Sequence, residues 1–393
     1  MHRRSKSWSP MDAERVRTQC AGALLAAAGL LVPGVMVCGG WAQAPAAQAS
    51  GTQSGSQNRR PLTVDSDPVP VPEGDAPVAS KPAATGAQAT AGEITRENGK
   101  FTLRANAYEV RLNASVIDSS GQPVDSLPQD AFKVYEDGAP QSIVGFRHED
   151  LPVSLGILID SSGSMYDKRT SVDAASLDLV KLSNHEDEAF LVDFSSEPYL
   201  DTDFTNDVAK LQQGLSYIKS SGGTALYDAV IASADYLAKN AKRPKQVLLI
   251  VTDGEDNASG ASLETTIRRV QDLDGPAIYC IGLLFGDDVS RSEARHAREV
   301  LTELALQTGG QAYFPKSLKE VDGITHEVAA DIRTQYTISY HSTKSPELGG
   351  YRTIHVEAKA KGYRGLQVRT RTGYFPKTAA NANPGGFSAP PAH

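Results

Sequence analysis

The chain has 393 residues, with 39 Lys and Arg against 47 Asp and Glu, a net charge of −8, and three cysteines. That length suits two domains, or one domain with tails. Five of the basic groups lie in the first 44 residues, so the remainder is more acidic still and offers no footprint for nucleic acid or an anionic membrane surface.

The N-terminus reads as a targeting segment. Arg3, Arg4, Lys6, Arg15 and Arg17 form a basic start, residues 21–37 are apolar, and Ala42-Gln43-Ala44 is a small-residue cleavage site. Residues 1–44 are therefore expected to be a secretory signal peptide, with Ala47-Gln48-Ala49 as a competing site because Pro45 disfavours cleavage before it. The expected location is extracytoplasmic: secreted, periplasmic or cell-surface. Unless the signal is retained as an anchor, the mature chain has no membrane span. Cys20 and Cys38 leave with the signal, so Cys280 alone remains and no internal disulfide can form. Its apolar neighbourhood, 277–283, predicts a buried core thiol.

Residues 45–93 are rich in Ala, Pro, Gln, Ser and Gly and read as a disordered linker. The tail 377–393 has the same character. Over 101–150 the pattern turns to period two: Val110, Leu112, Ala114 and Val116 alternate with polar residues, and 132–136 is another strand ended by Asp137-Gly138. The same alternation returns over 335–376, in Tyr336, Ile338 and Tyr340 and in Ile354, Val356 and Ala358. Neither flank has strands enough to stand alone. Together they are expected to complete one β-sandwich around whatever lies between.

Between them, 151–334 alternates strand and helix. Strands are expected at 154–159, 188–194, 198–203 (a short edge), 246–251, 277–284 and 311–314. Val172, Ala175, Leu179 and Leu182 line one helical face. Thr205 caps a second helix striped by Val208, Leu211, Leu215 and Ile218. Further helices follow Thr224 and span about 293–307 and 318–333. This alternation predicts an α/β domain with a doubly wound, mainly parallel, Rossmann-like sheet.

Three stretches carry chemistry: Asp160-Ser161-Ser162-Gly163-Ser164 after one apolar strand, Gly222-Gly223-Thr224 before a helix, and Thr252-Asp253-Gly254 after another strand. In open parallel sheets, ligands bind beyond the carboxyl ends of strands. Ser162 and Ser164, two apart in a turn, can face one point, and Gly163 is expected to let the backbone pass between them without a Cβ clash. Two carboxylates and three hydroxyls suit Mg²⁺, with Mn²⁺ or Ca²⁺ as alternatives. Because the hydroxyls are neutral, such a site keeps enough positive character to take one more anionic oxygen.

The order Asp-x-Ser-x-Ser, then Thr, then Asp resembles the von Willebrand factor type A (VWA) domain and its metal-ion-dependent adhesion site. The resemblance implies metal ligands at Asp160, Ser162, Ser164, Thr224 and Asp253. Ser162, Ser164 and Thr224 would bind directly, and Asp160 and Asp253 directly or through water. It also implies a partner, protein or surface polymer, that offers an acidic residue. The 132–146 stretch and Thr372-Gly373-Tyr374-Phe375 are similar to the flanks of a bacterial family of exported proteins of this type.

Asp228 and Asp256 lie nearby in sequence, but helix starts and loops attract Asp for capping. Tyr166 and Tyr227 either rim the site or pack. A metal-dependent hydrolase is the competing class, yet no Gly-x-Ser-x-Gly elbow surrounds Ser162 or Ser164, no His pair has zinc-helix spacing, and no phosphate-cradling Gly-Lys loop is present. The scaffold subunit of an intracellular assembly is a third, and the export signal argues against it. The expectation is a binding protein, not an enzyme.

Overall fold

A computed structural model describes residues 60–63, 93–97, 100–104, 109–148, 150–182, 184–285 and 290–377. The expected signal, most of the expected linker and nearly all of the tail lie outside the described residues. In chain order the strands are β1 (Arg60–Pro61), β2 (Glu93–Glu97), β3 (Lys100–Arg104), β4 (Glu109–Ile117), β5 (Phe132–Glu136), β6 (Ala139–Gln141), β7 (Ile143–Arg147), β8 (Val153–Asp160), β9 (Glu188–Phe194), β10 (Pro198–Thr205), β11 (Lys245–Thr252), β12 (Ala277–Gly282), β13 (Ala312–Tyr313), β14 (Tyr336–His341), β15 (Arg352–Ala358), β16 (Gln367–Arg369) and β17 (Gly373–Tyr374). The helices are α1 (Arg169–Lys181), α2 (Val208–Tyr217), α3 (Leu226–Asn240), α4 (Leu263–Asp272), α5 (Arg291–Thr308) and α6 (Val321–Arg333).

The main sheet runs β1-β10-β9-β8-β11-β12-β13; the run from β9 to β13 is parallel, and β10 and β1 are added antiparallel at one edge. Helices cover both faces, so the central strands are buried along almost their whole length and their middles, 155–159 and 247–251, carry no polar side chain. Leu155, Ile157 and Ile159 of β8 pack with α1, α2 and α6, while Leu158 between them joins the core formed with α3, α4 and α5. Gly156 lies on that second face because nothing larger fits. A Cβ there would sit 2.5 Å from Leu248 Cδ2 and from Phe190 Cζ. Cys280 is buried in the same core, and burial pushes its thiol pKa up.

The strands of the two flanks interleave. One four-stranded sheet is β16-β4-β14-β7 and the other β17-β15-β5-β6, and both contain strands from before and after the α/β domain. Ile338 lies opposite Leu112 and Val356 opposite Val134, and these side chains share one core. At its edge the buried carboxylate of Glu136 accepts hydrogen bonds from Tyr340, Tyr374 and Ser342 and faces Arg352, itself buried. β2 and β3 form a separate hairpin.

Four details depart from expectation. The segment read as a structureless linker contributes β1 at the sheet edge, where Leu62 N donates to Pro198 O at 3.0 Å and the Leu62 side chain packs on the second core. A composition averaged over 45–93 hides one apolar residue with a sheet edge to join. Leu182 lies past the end of α1 and is exposed. Asp207, not Thr205, caps α2 by accepting from Ala209 N at 2.9 Å. Finally, α4 was not foreseen, although Leu263, Ile267 and Val270 stand at helical spacing behind the Ser262 cap. Among the described residues no helix is long and apolar enough to cross a membrane.

Candidate metal centre

Parallel pairing brings the carboxyl ends of β8 and β11 side by side, with Ile159 opposite Val251. Asp160 is the last residue of β8, and Asp253 follows the last residue of β11. Both are buried. The three loops above this edge are tied by backbone hydrogen bonds. Ser161 N donates to Phe194 O at 2.7 Å, Ser221 N to Ser161 O at 2.7 Å, Ala225 N to Ser195 O at 2.6 Å and Asn257 N to Thr224 O at 3.0 Å. The glycines that this weave requires are Gly222, at φ +84°, and Gly223, where a Cβ would meet Asn257 Oδ1 at 2.6 Å. Gly163 does not have the role expected of it, since a Cβ there would touch nothing.

Four of the five predicted residues are joined by hydrogen bonds. Ser162 N donates to Asp160 Oδ1 at 2.8 Å, the Ser162 and Ser164 hydroxyls lie 3.1 Å apart, and Ser164 Oγ donates to Asp253 Oδ1 at 2.8 Å. Thr224 borders the Asp253 loop: its backbone N donates to Asn257 Oδ1 at 2.9 Å, and its Oγ1 lies 3.9 Å from where a Gly254 Cβ would stand. The residue is buried.

Two further residues belong to this constellation. Thr252 Oγ1 donates to Asp160 Oδ2 at 2.6 Å, and Lys168 Nζ donates to Asp253 Oδ2 at 2.5 Å. Neither signals itself in sequence beyond adjacency, Thr252 preceding Asp253 and Lys168 standing four residues after Ser164. Burial raises the Asp160 carboxyl to about 6, against the opposing effect of the Thr252 and Ser162 hydrogen bonds. This group holds its charge only reluctantly and gains from a nearby cation.

The donor chemistry fits a hard divalent ion. Every candidate atom is an oxygen, and two carboxylates supply charge. Among the described residues no group of three or more His, Cys, Asp or Glu side chains is placed to hold a metal, so a carboxylate- or thiolate-rich centre does not compete. Asp228 and Asp256 act as loop braces. Asp228 accepts from Gly260 N and Ala261 N, and Asp256 from Tyr227 N and Ser259. Tyr227 packs on the core of α3, while Tyr166 is 76% exposed beside the Ser162–Ser164 turn. Two clefts of about 670 and 210 Å³ lie elsewhere, along β5 and β6 and at the opposite end of the sheet, and none of the five residues lines them.

Residues 155–255 match the family model of the von Willebrand factor type A domain, which spans β8 to the loop after β11 and takes in all five residues. The chain therefore carries a VWA domain. Among solved structures it is similar to the PilB minor pilin from Streptococcus sanguinis (13% identity over 47% of this chain and 62% of that one, TM-score 0.36). It is also similar to the vWF domain of the type V pili tip protein Mfa5 from Porphyromonas gingivalis (15%, 47% and 95%, TM-score 0.36). A von Willebrand factor type A protein from Catenulispora acidiphila is matched over 69% of this chain and 75% of that one (14%, TM-score 0.39). The chain thus spans less than two thirds of the pilin's length. No curated protein gives a significant match.

Proposed function

We propose that this is an exported, non-enzymatic binding protein whose VWA domain engages a macromolecular partner through a metal-ion-dependent adhesion site. The observation that supports it best is the hydrogen-bonded run Asp160–Ser162–Ser164–Asp253 at the carboxyl edge of two adjacent parallel strands, with the buried Thr224 bordering the Asp253 loop. Ser162, Ser164 and Thr224 would hold Mg²⁺, or Mn²⁺ or Ca²⁺ in its place, and Asp160 and Asp253 would supply charge directly or through water. When bound, the ion would supply positive charge able to attract a carboxylate of the partner, a protein or surface polymer. The chain's own residues orient that contact. Thr252 and the Ser162 backbone fix the Asp160 carboxylate, and the buried strands beneath hold the loops without help from the ion. The export reading rests on residues 1–44.

Calorimetry of the purified protein with Mg²⁺ tests the site. Wild type should bind one ion, and Asp160→Ala, which removes one of two carboxylates, should abolish binding. Unchanged affinity in the variant would sink the assignment. Capture of partners from a native surface fraction, with Mg²⁺ and again with chelator, tests the function; equal capture in both buffers, with the domain folded, would refute a metal-bridged contact.

A further inference from the structure

Both carboxylate oxygens of Asp253 are engaged: Oδ1 by the Ser164 hydroxyl at 2.8 Å and Oδ2 by the Lys168 ammonium at 2.5 Å. The Asp253 side chain is fully buried and that of Lys168 only 13% exposed. The helix that Lys168 precedes does not account for it. Lys168 stands at the N-cap of α1, makes no capping hydrogen bond and is followed by Arg169, with no acidic residue in the first turn. Helix N-termini carry partial positive charge and favour Ser, Thr, Asp or Asn at the cap. Ser262 and Ser290 fill that position in α4 and α5. A lysine there works against the helix, and its ammonium is spent on Asp253 instead.

We infer that Lys168 is a tethered cation that neutralises Asp253 in the metal-free protein and must swing away before a divalent ion can use that carboxylate, so that it sets the metal affinity of the site. This rests on the metal-site reading above. A buried carboxylate without a counter-charge is strongly destabilising, and Lys168 supplies that charge from within the chain. Its flexible four-carbon stem carries a compact point charge that water can readily take back, and the side chain already reaches the surface. Exchange of ammonium for metal breaks one ion pair and forms another. The observed affinity is therefore the intrinsic affinity less the strength of the Lys168–Asp253 pair. The same pair keeps the loop above β11 in place when metal is scarce.

The test compares Mg²⁺ titrations of the full chain as wild type, Lys168→Met and Arg169→Met. Arg169 is the charge control, because its guanidinium is held by Asp173 at 2.7 Å and makes no contact with Asp253. Lys168→Met should bind Mg²⁺ about tenfold more tightly, melt at a lower temperature in chelator, and gain more from added Mg²⁺. Arg169→Met should shift affinity by less than about twofold. Should Lys168→Met fail to fold in chelator, wild type with isotope-labelled lysine answers the question. Its paired ammonium, protected from solvent exchange, should give an NMR resonance that is lost at saturating Mg²⁺. Equal affinity in wild type and Lys168→Met, or an ammonium resonance unmoved by saturating Mg²⁺, overturns the inference and leaves the metal site standing. Lack of saturable Mg²⁺ binding in wild type and variant alike overturns both.

Discussion

Asp160 should make the metal-free protein less stable at neutral pH than in mild acid. Its carboxyl is fully buried at the end of β8, and burial raises it from 3.8 to about 6. Between those values the folded state keeps the proton and the unfolded state has lost it. Stability therefore falls as pH rises from about 4 to about 6 and is level above that. At about 1.4 kcal/mol per pH unit the penalty at pH 7 is about 3 kcal/mol. Asp160→Asn keeps the shape and removes the charge. It gives up acceptance from either Thr252 Oγ1 or Ser162 N, at a cost of about 1 kcal/mol. The variant should then be roughly 2 kcal/mol more stable than wild type at pH 7 in chelator; the difference should cross zero near about pH 4.5 and reverse in stronger acid, where only the lost hydrogen bond of about 1 kcal/mol remains. Saturating Mg²⁺ should reverse the order, because at a thousandfold excess over Kd the wild type alone gains about 4 kcal/mol. Urea unfolding followed by circular dichroism at pH 4, 5, 6 and 7, with Mg²⁺ and with chelator, reads this directly. Parallel pH curves for the two proteins in chelator would refute the reasoning, since Asp160 would then not be the group whose burial is opposed.

Gly156→Ala should destabilise the α/β domain by about 1–3 kcal/mol through overpacking, because the added Cβ meets Leu248 and Phe190 at 2.5 Å; a melting temperature equal to wild type would show that the layer yields. Arg352→Met should cost the sandwich about 3–5 kcal/mol by leaving Glu136 buried without a counter-charge, and Glu136→Gln in the same chain should recover part of the loss in a denaturation series. Removal of 335–376 withdraws β14 from between β4 and β7 and β15 from beside β5. Hydrogen exchange should then find 109–147 unprotected, and full protection there would mean that the N-terminal flank folds alone. Asp253→Ala should abolish Mg²⁺ binding while Lys361→Ala, an exposed change on the sandwich, leaves it intact; calorimetry separates the two outcomes.

The local pattern carried much of this protein. Runs without a polar side chain at 155–159 and 247–251 identify strands covered on both faces, and a helix stripe such as Leu211 and Leu215 needs only its own spacing to be read. The five oxygen-bearing residues were legible for the same reason: each stands where a strand or loop hands over to a helix, and that position is written in the neighbouring residues. What depends on distant partners was not legible. Composition described 45–93 as linker, and only the sheet edge at β10 makes Arg60–Pro61 a strand. The period-two flanks implied a sandwich, but the pairing of β4 with β14 and of β5 with β15 spans some two hundred residues and is settled by a shared core. Gly163 looked essential from its neighbours, whereas the loops that close over the site place that demand on Gly222 and Gly223. Thr252 and Lys168 became part of the site only when parallel pairing brought two strand ends together. Sequence specifies what each segment can bury and which atoms it can offer, because those are properties of a few neighbouring residues. Which of those atoms meet, and which buried carboxylate a lysine must answer, follows from contacts between residues far apart in the chain, and only the tertiary structure decides them.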